Sequence, residues 1–240
     1  MKIHRFFGDF VLFKTEVNKE INIDDSELIN QIKNVLKLKT GEFMILCDGN
    51  KEEAKVEIEN MNPKEIRVKV LEKYENTNEP KIFATLYCSI LKKENFELVA
   101  QKAVEVGISK IVPVLCERTV KTGINISRLE KIIKEASEQS ARGVLPVLGE
   151  VVDFKQVLNQ IDKKDLNLIF DSSGENFNDI KKENSISNIS LFIGPEGGFT
   201  ENELKLALES GVQKLSLGKI TLRAETAVIV ASYLVSNFRE

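Results

Sequence analysis

Tryptophan is absent from the 240 residues, histidine occurs once, and cysteine three times. A single histidine and no Cys-x-x-Cys pair exclude the common zinc-ligand sets, so no metal is expected. A Ser-His-Asp or Cys-His nucleophile would have to recruit His4, close to the start of the sequence, and that class is set aside. Cys47, Cys88 and Cys116 are odd in number and lie in or beside apolar runs. They read as buried free thiols rather than a disulfide framework. No apolar run approaches the roughly 20 residues of a membrane span. The opening Met-Lys-Ile-His-Arg stretch lacks the apolar core of a signal peptide, so a cytoplasmic protein is expected. An excess of basic charge is also missing: 34 Lys and Arg face 37 Asp and Glu, a net charge of −3. Any nucleic-acid contact must therefore come from a local patch and not from bulk charge.

What is present is enough chain for one or two domains with ample core, without repeats or low-complexity segments. Residues 1–72 read as a small β-rich domain. Strand-like runs cover 10–13, 42–47, 54–58 and 66–71, and Asp48-Gly49-Asn50 supplies a turn. One helix spans about 26–38, capped by Asp24, Asp25 or Ser26 and stopped at Gly41. Residues 73–80 are polar, aperiodic and end in Pro80, the signature of a linker. From Lys81 onward strands and helices alternate. Strands are expected at 82–91, 110–115, 166–171 and 189–193, and helices at 94–106 and 127–141. Such alternation predicts an α/β fold, a parallel sheet with helices on both faces. Glu135, Gln139 and Arg142 share one helix face at i, i+4 and i+7, as Lys102 and Glu105 share another. Spacing alone makes these solvated faces.

Two strand–loop–helix stretches near the carboxyl end carry more information. In the first, an apolar strand runs into Gly194-Pro195-Glu196-Gly197-Gly198-Phe199, and Thr200 with Glu203 forms a capping box for the next helix, ended by Gly211. Bare glycine backbone at a strand end facing a helix start is where an open α/β sheet binds its ligand. Glu196 argues against a phosphate, the spacing is not Gly-x-Gly-x-x-Gly, and no Gly-Lys-Ser/Thr follows. A nucleoside carrying a cation suits this loop; a purely structural turn would account for it equally well. In the second stretch, Leu217-Gly218-Lys219-Ile220-Thr221-Leu222 leads to Arg223, Glu225 and a helix over 225–238 that is apolar almost all round. That helix belongs in a core or an interface.

Together the two stretches resemble the signature pair of the bacterial 16S ribosomal RNA uridine-N3 methyltransferases, of the SPOUT superfamily. Further matches are Gln101–Gly107 with Ile111-Val112-Pro113, Glu117-Arg118, and Glu135–Ser140, so the resemblance spans most of 81–240. It implies a C-terminal methyltransferase domain at 81–240 with a trefoil knot, and a PUA-like RNA-binding barrel at 1–72. It implies S-adenosylmethionine as cofactor, held by Gly194, Pro195, Glu196, Gly197, Gly198, Leu217, Gly218, Leu222 and Thr226. Arg223 is then the group stabilising charge on the uracil oxygens, and Glu196 or Glu225 the base at N3. The implied partners are 16S rRNA of the small ribosomal subunit and a second copy of the chain. Candidate RNA contacts are His4, Arg5, Lys33, Lys37 and Lys39 in the N-terminal domain, with Lys102, Arg118, Gln139 and Arg142 beyond it. Gln31 stands where the family often has histidine, and Lys37 where it often has arginine. A methyltransferase for another RNA position, a non-catalytic RNA-binding module and an ordinary nucleotide-dependent enzyme are the competing readings.

Overall fold

The structure, a computed structural model, describes residues 3–120, 123–180 and 185–239. They fall into two compact units: Met1–Glu79 with Ser137–Leu145, and Pro80–Ala136 with Pro146–Glu240.

The first unit is built on a five-stranded sheet of order β1-β3-β4-β5-β2, from β1 (His4–Phe7), β2 (Glu20–Ile23), β3 (Phe43–Cys47), β4 (Glu52–Met61) and β5 (Ile66–Glu75). Period-2 alternation turns Met44, Leu46, Val56, Ile58, Val68 and Val70 into one buried face. Helix α1 (Ser26–Asn30) is capped by Asp25, whose carboxylate accepts the N–H groups of Glu27 and Leu28 at 2.8 and 3.0 Å. The expected straight helix to Leu38 is instead broken into α1 and a wider π turn, Gln31–Val35, closed by Leu36 N–H to Gln31 O at 2.9 Å. Residues 10–13, expected as a strand, form no ladder; Leu12–Lys14 is a 3₁₀ turn anchored by the fully buried Leu12.

The expected linker is also corrected. β5 continues to Glu75, with Lys73 opposite Ala54 and Tyr74 opposite Glu53, and Asn76 is buried. Ladder pairing to β4 holds this polar segment, which composition alone marks as loose. The unit also contains 137–145, expected in the C-terminal domain. Arg142 explains why: its guanidinium grips the Glu79 carboxylate at 2.8–3.2 Å, and the Gly143 and Val144 amides add bonds of 2.8 and 3.1 Å. Arg5 is likewise turned inward, paired with Glu53 and bonded to Arg142 O at 3.3 Å. Asn76 Nδ2 donates to Glu53 at 2.5 Å, and Glu138 accepts from Phe7 N–H and Gln31 Nε2, each at 3.2 Å.

The second unit is a seven-stranded parallel sheet of order β12-β10-β11-β6-β7-β8, with β9 also on β7. Its strands are β6 (Phe83–Ser89), β7 (Lys110–Leu115), β8 (Val147–Leu148), β9 (Val152–Asp153), β10 (Leu166–Asn176), β11 (Asn188–Ile193) and β12 (Gln213–Ser216). The helices are α2 (Lys93–Glu105), α3 (Ile126–Gln139), α4 (Phe154–Gln160), α5 (Glu201–Glu209) and α6 (Ala224–Ser236). Alternate residues feed two cores. Leu86, Leu168, Leu191 and Ile193 join one core with α2 and α6 residues such as Phe96, Val99, Val228 and Val235. Ile169 and Phe192 join the other, with Phe154, Phe199 and Ala207. Burial of both faces is what a parallel sheet requires, and it explains why β11 reads as a near-continuous apolar run. Cys47, Cys88 and Cys116 are buried and free; burial pushes the thiols of Cys47 and Cys116 up to about 12.

One register sets where the loops of the sheet emerge. Pro113, Cys88, Ile193, Phe170 and Leu215 form a single rung across β7, β6, β11, β10 and β12. The residues leaving these strands therefore lie along one edge.

The Glu79–Arg142 pair generates a prediction. Burial pushes the Glu79 carboxyl up, but Arg142 and the two amides outweigh it and hold it below its ordinary value. A depressed carboxyl contributes stability that is present above its unfolded value, about 4.3, and lost as pH falls through the lower folded value. Thermal melting from pH 6 to 2 is expected to show a shallower acid-side fall in Tm for Glu79→Gln than for wild type. Equal slopes would remove this pair from the acid response.

Candidate active site

Three loops meet at the edge set by that rung. The first leaves β11. A Cβ on Gly194 would lie 3.0 Å from the Phe199 ring, so glycine lets the loop pack this closely against Phe199. Gly198 N–H closes a turn on Pro195 O at 2.8 Å, with Gly198 at φ +69°. The chain then enters α5 through the capping box expected from Thr200 and Glu203. Glu203 is buried, and its carboxylate accepts the N–H groups of both Thr200 and Glu117 at 2.8 Å.

The second loop leaves β12. Ser216 Oγ donates to Gly218 O at 3.0 Å and accepts Gly218 N–H at 3.2 Å, while Gly218 takes φ +126°. Arg223 is the N-cap residue of α6, and Glu225 lies in that helix's first turn. The third segment, Phe170-Asp171-Ser172, leaves the straight part of β10 between the other two. Asp171 Oδ1 accepts Ser173 N–H at 2.9 Å and its hydroxyl at 2.6 Å.

These loops enclose a cleft of about 730 Å³. Gly194, Pro195, Glu196, Gly197, Gly198, Leu217, Gly218, Leu222, Arg223 and Glu225 all line it; Thr226 does not and is exposed. Arg118 lines it as well, donating from Nη1 to Gly197 O at 2.7 Å and Phe199 O at 3.3 Å. Glu196 Oε1 accepts the Lys92 N–H at 3.2 Å, at the start of α2. The side chains of Arg223 and Glu225 make no hydrogen bond or ion pair among the described residues, although Arg223 O accepts Ala227 N–H at 2.8 Å within α6. The amides of Glu196, Gly197, Ile220 and Leu222 make none to protein there either.

The remaining candidates lie elsewhere. Lys102 pairs with Glu105 at 2.8 Å on α2 and is not part of the cleft. Arg142 is buried and Arg5 half-buried, and both guanidiniums are paired within the first unit, with Glu79 and Glu53, and not turned out to meet a phosphate. Gln139, in that unit too, ends α3. Lys37 and Lys39 are exposed, with Lys37 at φ +56°, and Lys33 and His4 are half-buried. Asn95, Phe170, Asp171 and Ser172 line the cleft although no local motif marks them. Position at the carboxyl end of a parallel strand is the signal that points to Asp171.

Side-chain charge in the cleft comes from Asp171, Glu196 and Glu225 against Arg118 and Arg223, leaving one negative charge in excess. Its apolar wall is Phe170, Ile193, Leu217, Ile220 and Leu222. With free backbone donors and no lysine on a phosphate path, it suits a flat, uncharged base joined to a cationic group. The volume lies within the usual range for small-molecule sites, about 300–1,000 Å³.

Comparison with known proteins points the same way. A family model described as an RNA methyltransferase domain matches residues 78–236, and one described as an RNA methyltransferase PUA domain matches 23–71. A ribosomal RNA small subunit methyltransferase E from Rickettsia conorii is 32% identical, covering 89% of this chain and 88% of the relative. The crystal structure of the Neisseria gonorrhoeae protein of that name, bound to S-adenosyl methionine, aligns at TM-score 0.88 and 26% identity, covering 98% of each chain. A putative methyltransferase from Legionella pneumophila, in complex with the same cofactor, aligns at TM-score 0.87 and 26% identity, covering 99% and 98%.

The two glycines at positive φ separate experimentally. Gly198 sits in the left-handed helical region with open space around it, which asparagine also adopts. Gly218 at φ +126° lies outside that region. Chemical denaturation is expected to leave Gly198→Asn within about 0.5 kcal/mol of wild type and to cost Gly218→Asn about 1–3 kcal/mol. Equal costs would contradict the loop geometry.

Proposed function

This chain belongs to the ribosomal RNA small subunit methyltransferase E family of RNA methyltransferases, and on that premise we propose that it methylates N3 of a uridine in 16S rRNA. It is an S-adenosylmethionine-dependent rRNA methyltransferase of α/β fold with a PUA-like N-terminal unit. The observation that carries the reading is the cleft at the aligned strand ends, which fits the cofactor in charge, shape and donors.

Gly194–Gly198 and Leu217–Leu222 would hold the adenosine through backbone groups, with Leu217 and Leu222 against the adenine. The single excess negative charge of the lining complements a ligand of net charge +1. When bound, the cofactor supplies a methyl group already activated by its sulfonium. The chain's own contribution is positioning, which can account for several powers of ten in rate. Uracil N3 carries a proton that must leave. Glu225 is the freer base, because one Glu196 oxygen is already engaged by Lys92 N–H. Arg223, without a partner among the described residues at the mouth of the cleft, would stabilise negative charge spreading onto the uracil oxygens. N3 lies on the pairing edge, so the target base must be unpaired or flipped out.

Three further elements belong to this reading. Lys37 and Lys39 are exposed and remain the N-terminal candidates for rRNA phosphates, with Lys33 and His4 beside them. A second copy would cover α6, where Tyr233 is 58% exposed on an otherwise apolar helix, and the nearby Ile220, at 82%. A trefoil knot in the C-terminal domain, as the family resemblance implies, is the third. An rRNA-modifying role is a cytoplasmic one, and no helix among the described residues is long and apolar enough to cross a membrane.

Methyl transfer from labelled S-adenosylmethionine to small ribosomal subunits and to naked 16S rRNA, with mass mapping of the product, tests the reading. N3-methyluridine at one position is expected; a product at another atom or base would overturn it. Arg223→Ala should lower kcat by at least about 100-fold while changing cofactor affinity less than about threefold. Unchanged kcat would reject the role of Arg223.

A further inference from the structure

The loop from Gly194 to Phe199 is held from two sides by charged side chains. Arg118, on the segment after β7, donates from Nη1 to Gly197 O at 2.7 Å and to Phe199 O at 3.3 Å. Its stem lies against Gly197, where a Cβ would meet Arg118 Cδ at 3.4 Å. Glu196 reaches the other way, its Oε1 accepting Lys92 N–H at 3.2 Å on the segment after β6. Those two segments are themselves joined. Ser89 and Thr119 share a hydroxyl–hydroxyl bond of 3.0 Å, and Thr119 Oγ1 accepts Cys116 N–H at 2.9 Å. Hydrogen bonds and chain thus form a closed ring: Lys92, Glu196, Gly197, Arg118, Thr119, Ser89.

We propose that Arg118 and Glu196 are positioning residues that preorganise the cofactor loop, and that Arg118 acts on the loop and not on RNA. The inference rests on the cleft being the S-adenosylmethionine site. Two loop carbonyls are turned onto one guanidinium, and a third, Pro195 O, onto Gly198 N–H. The Glu196 and Gly197 amides, on the same turn, make no protein bond among the described residues. With its carbonyls tied back, the loop offers donors to the cleft without having to be ordered by the ligand, and such preorganisation lowers the cost of binding. The engagement of Glu196 also separates it from proton transfer. One of its two oxygens is taken up by a backbone N–H at the start of α2, which commits the carboxylate to holding the loop.

The two roles differ in what conservative variants do. Glutamine keeps an acceptor oxygen for Lys92 N–H but cannot take a proton. Lysine keeps the charge of Arg118 but not its planar fork. Calorimetry with S-adenosylmethionine on Arg118→Ala and Glu196→Ala is expected to show about a tenfold loss of affinity each. Glu196→Gln should recover most of that loss, with the pH dependence of kcat unshifted. The double alanine variant should lose less than the two singles multiplied, because both act on one loop. Amide hydrogen exchange of 194–199 without ligand should rise in both alanine variants and not in Glu196→Gln. Affinities unchanged with kcat reduced, or a Glu196→Gln variant with a shifted pH profile, would overturn the proposal. Unchanged exchange in both alanine variants would overturn it too, even if wild type failed to bind S-adenosylmethionine, which is the separate failure of the cofactor reading.

Discussion

The register of five parallel strands is the constraint on which the site depends. One rung, from Pro113 through Cys88, Ile193 and Phe170 to Leu215, brings the segments after β6, β7, β10, β11 and β12 to a common edge. That register is strongly enforced. A slip of one residue in β11 would exchange Leu191 and Ile193, which pack against α2 and α6, with Phe192, which packs against Phe154 and Phe199. Both faces are buried, so no face could absorb the error. Placing a binding loop directly on such strand ends gives it a rigid base, which matters for a reaction whose acceleration rests on alignment of the reacting atoms.

Above that base, short polar contacts define the loops. The Thr200–Glu203 capping box starts α5, and Glu203 reaches beyond its own helix to Glu117 N–H, so one buried carboxylate joins two loops. Charge is divided by task. Arg118 and Glu196 are engaged by backbone groups, whereas Arg223 and Glu225 have no partner among the described residues and face the cleft. The first pair is suited to holding the loop, the second to meeting a substrate. The same division runs through the first unit, where Arg5 and Arg142 tie the 137–145 segment to the five-stranded sheet while Lys37, Lys39 and Arg67 are exposed.

Much of this is legible in the sequence, for identifiable reasons. Gly194–Thr200 and Leu217–Arg223 stand out because glycine at a strand end and a capping box each have a local cause. The alternation of strands and helices from Lys81 points to the parallel sheet. What is not legible depends on partners far along the chain. Arg142 lies on one helical stripe with Gln139, so its spacing suggests an open face; Glu79, 63 residues away, buries it. Residues 73–75 look like linker because strand pairing with Glu52–Ala54 leaves no trace in their composition. The π turn at Gln31–Val35 has no compositional signature either. Asp171 escapes a reading by motif because its place follows from register, which no local pattern reveals.

The central claim is that the segments after β11 and β12 close on one cofactor. Amide hydrogen exchange of the wild-type protein, with and without saturating S-adenosylmethionine, tests it most directly. The expected result is protection confined to residues 194–199 and 217–223, with 43–75 unchanged. Protection elsewhere with both loops unaffected would contradict the account.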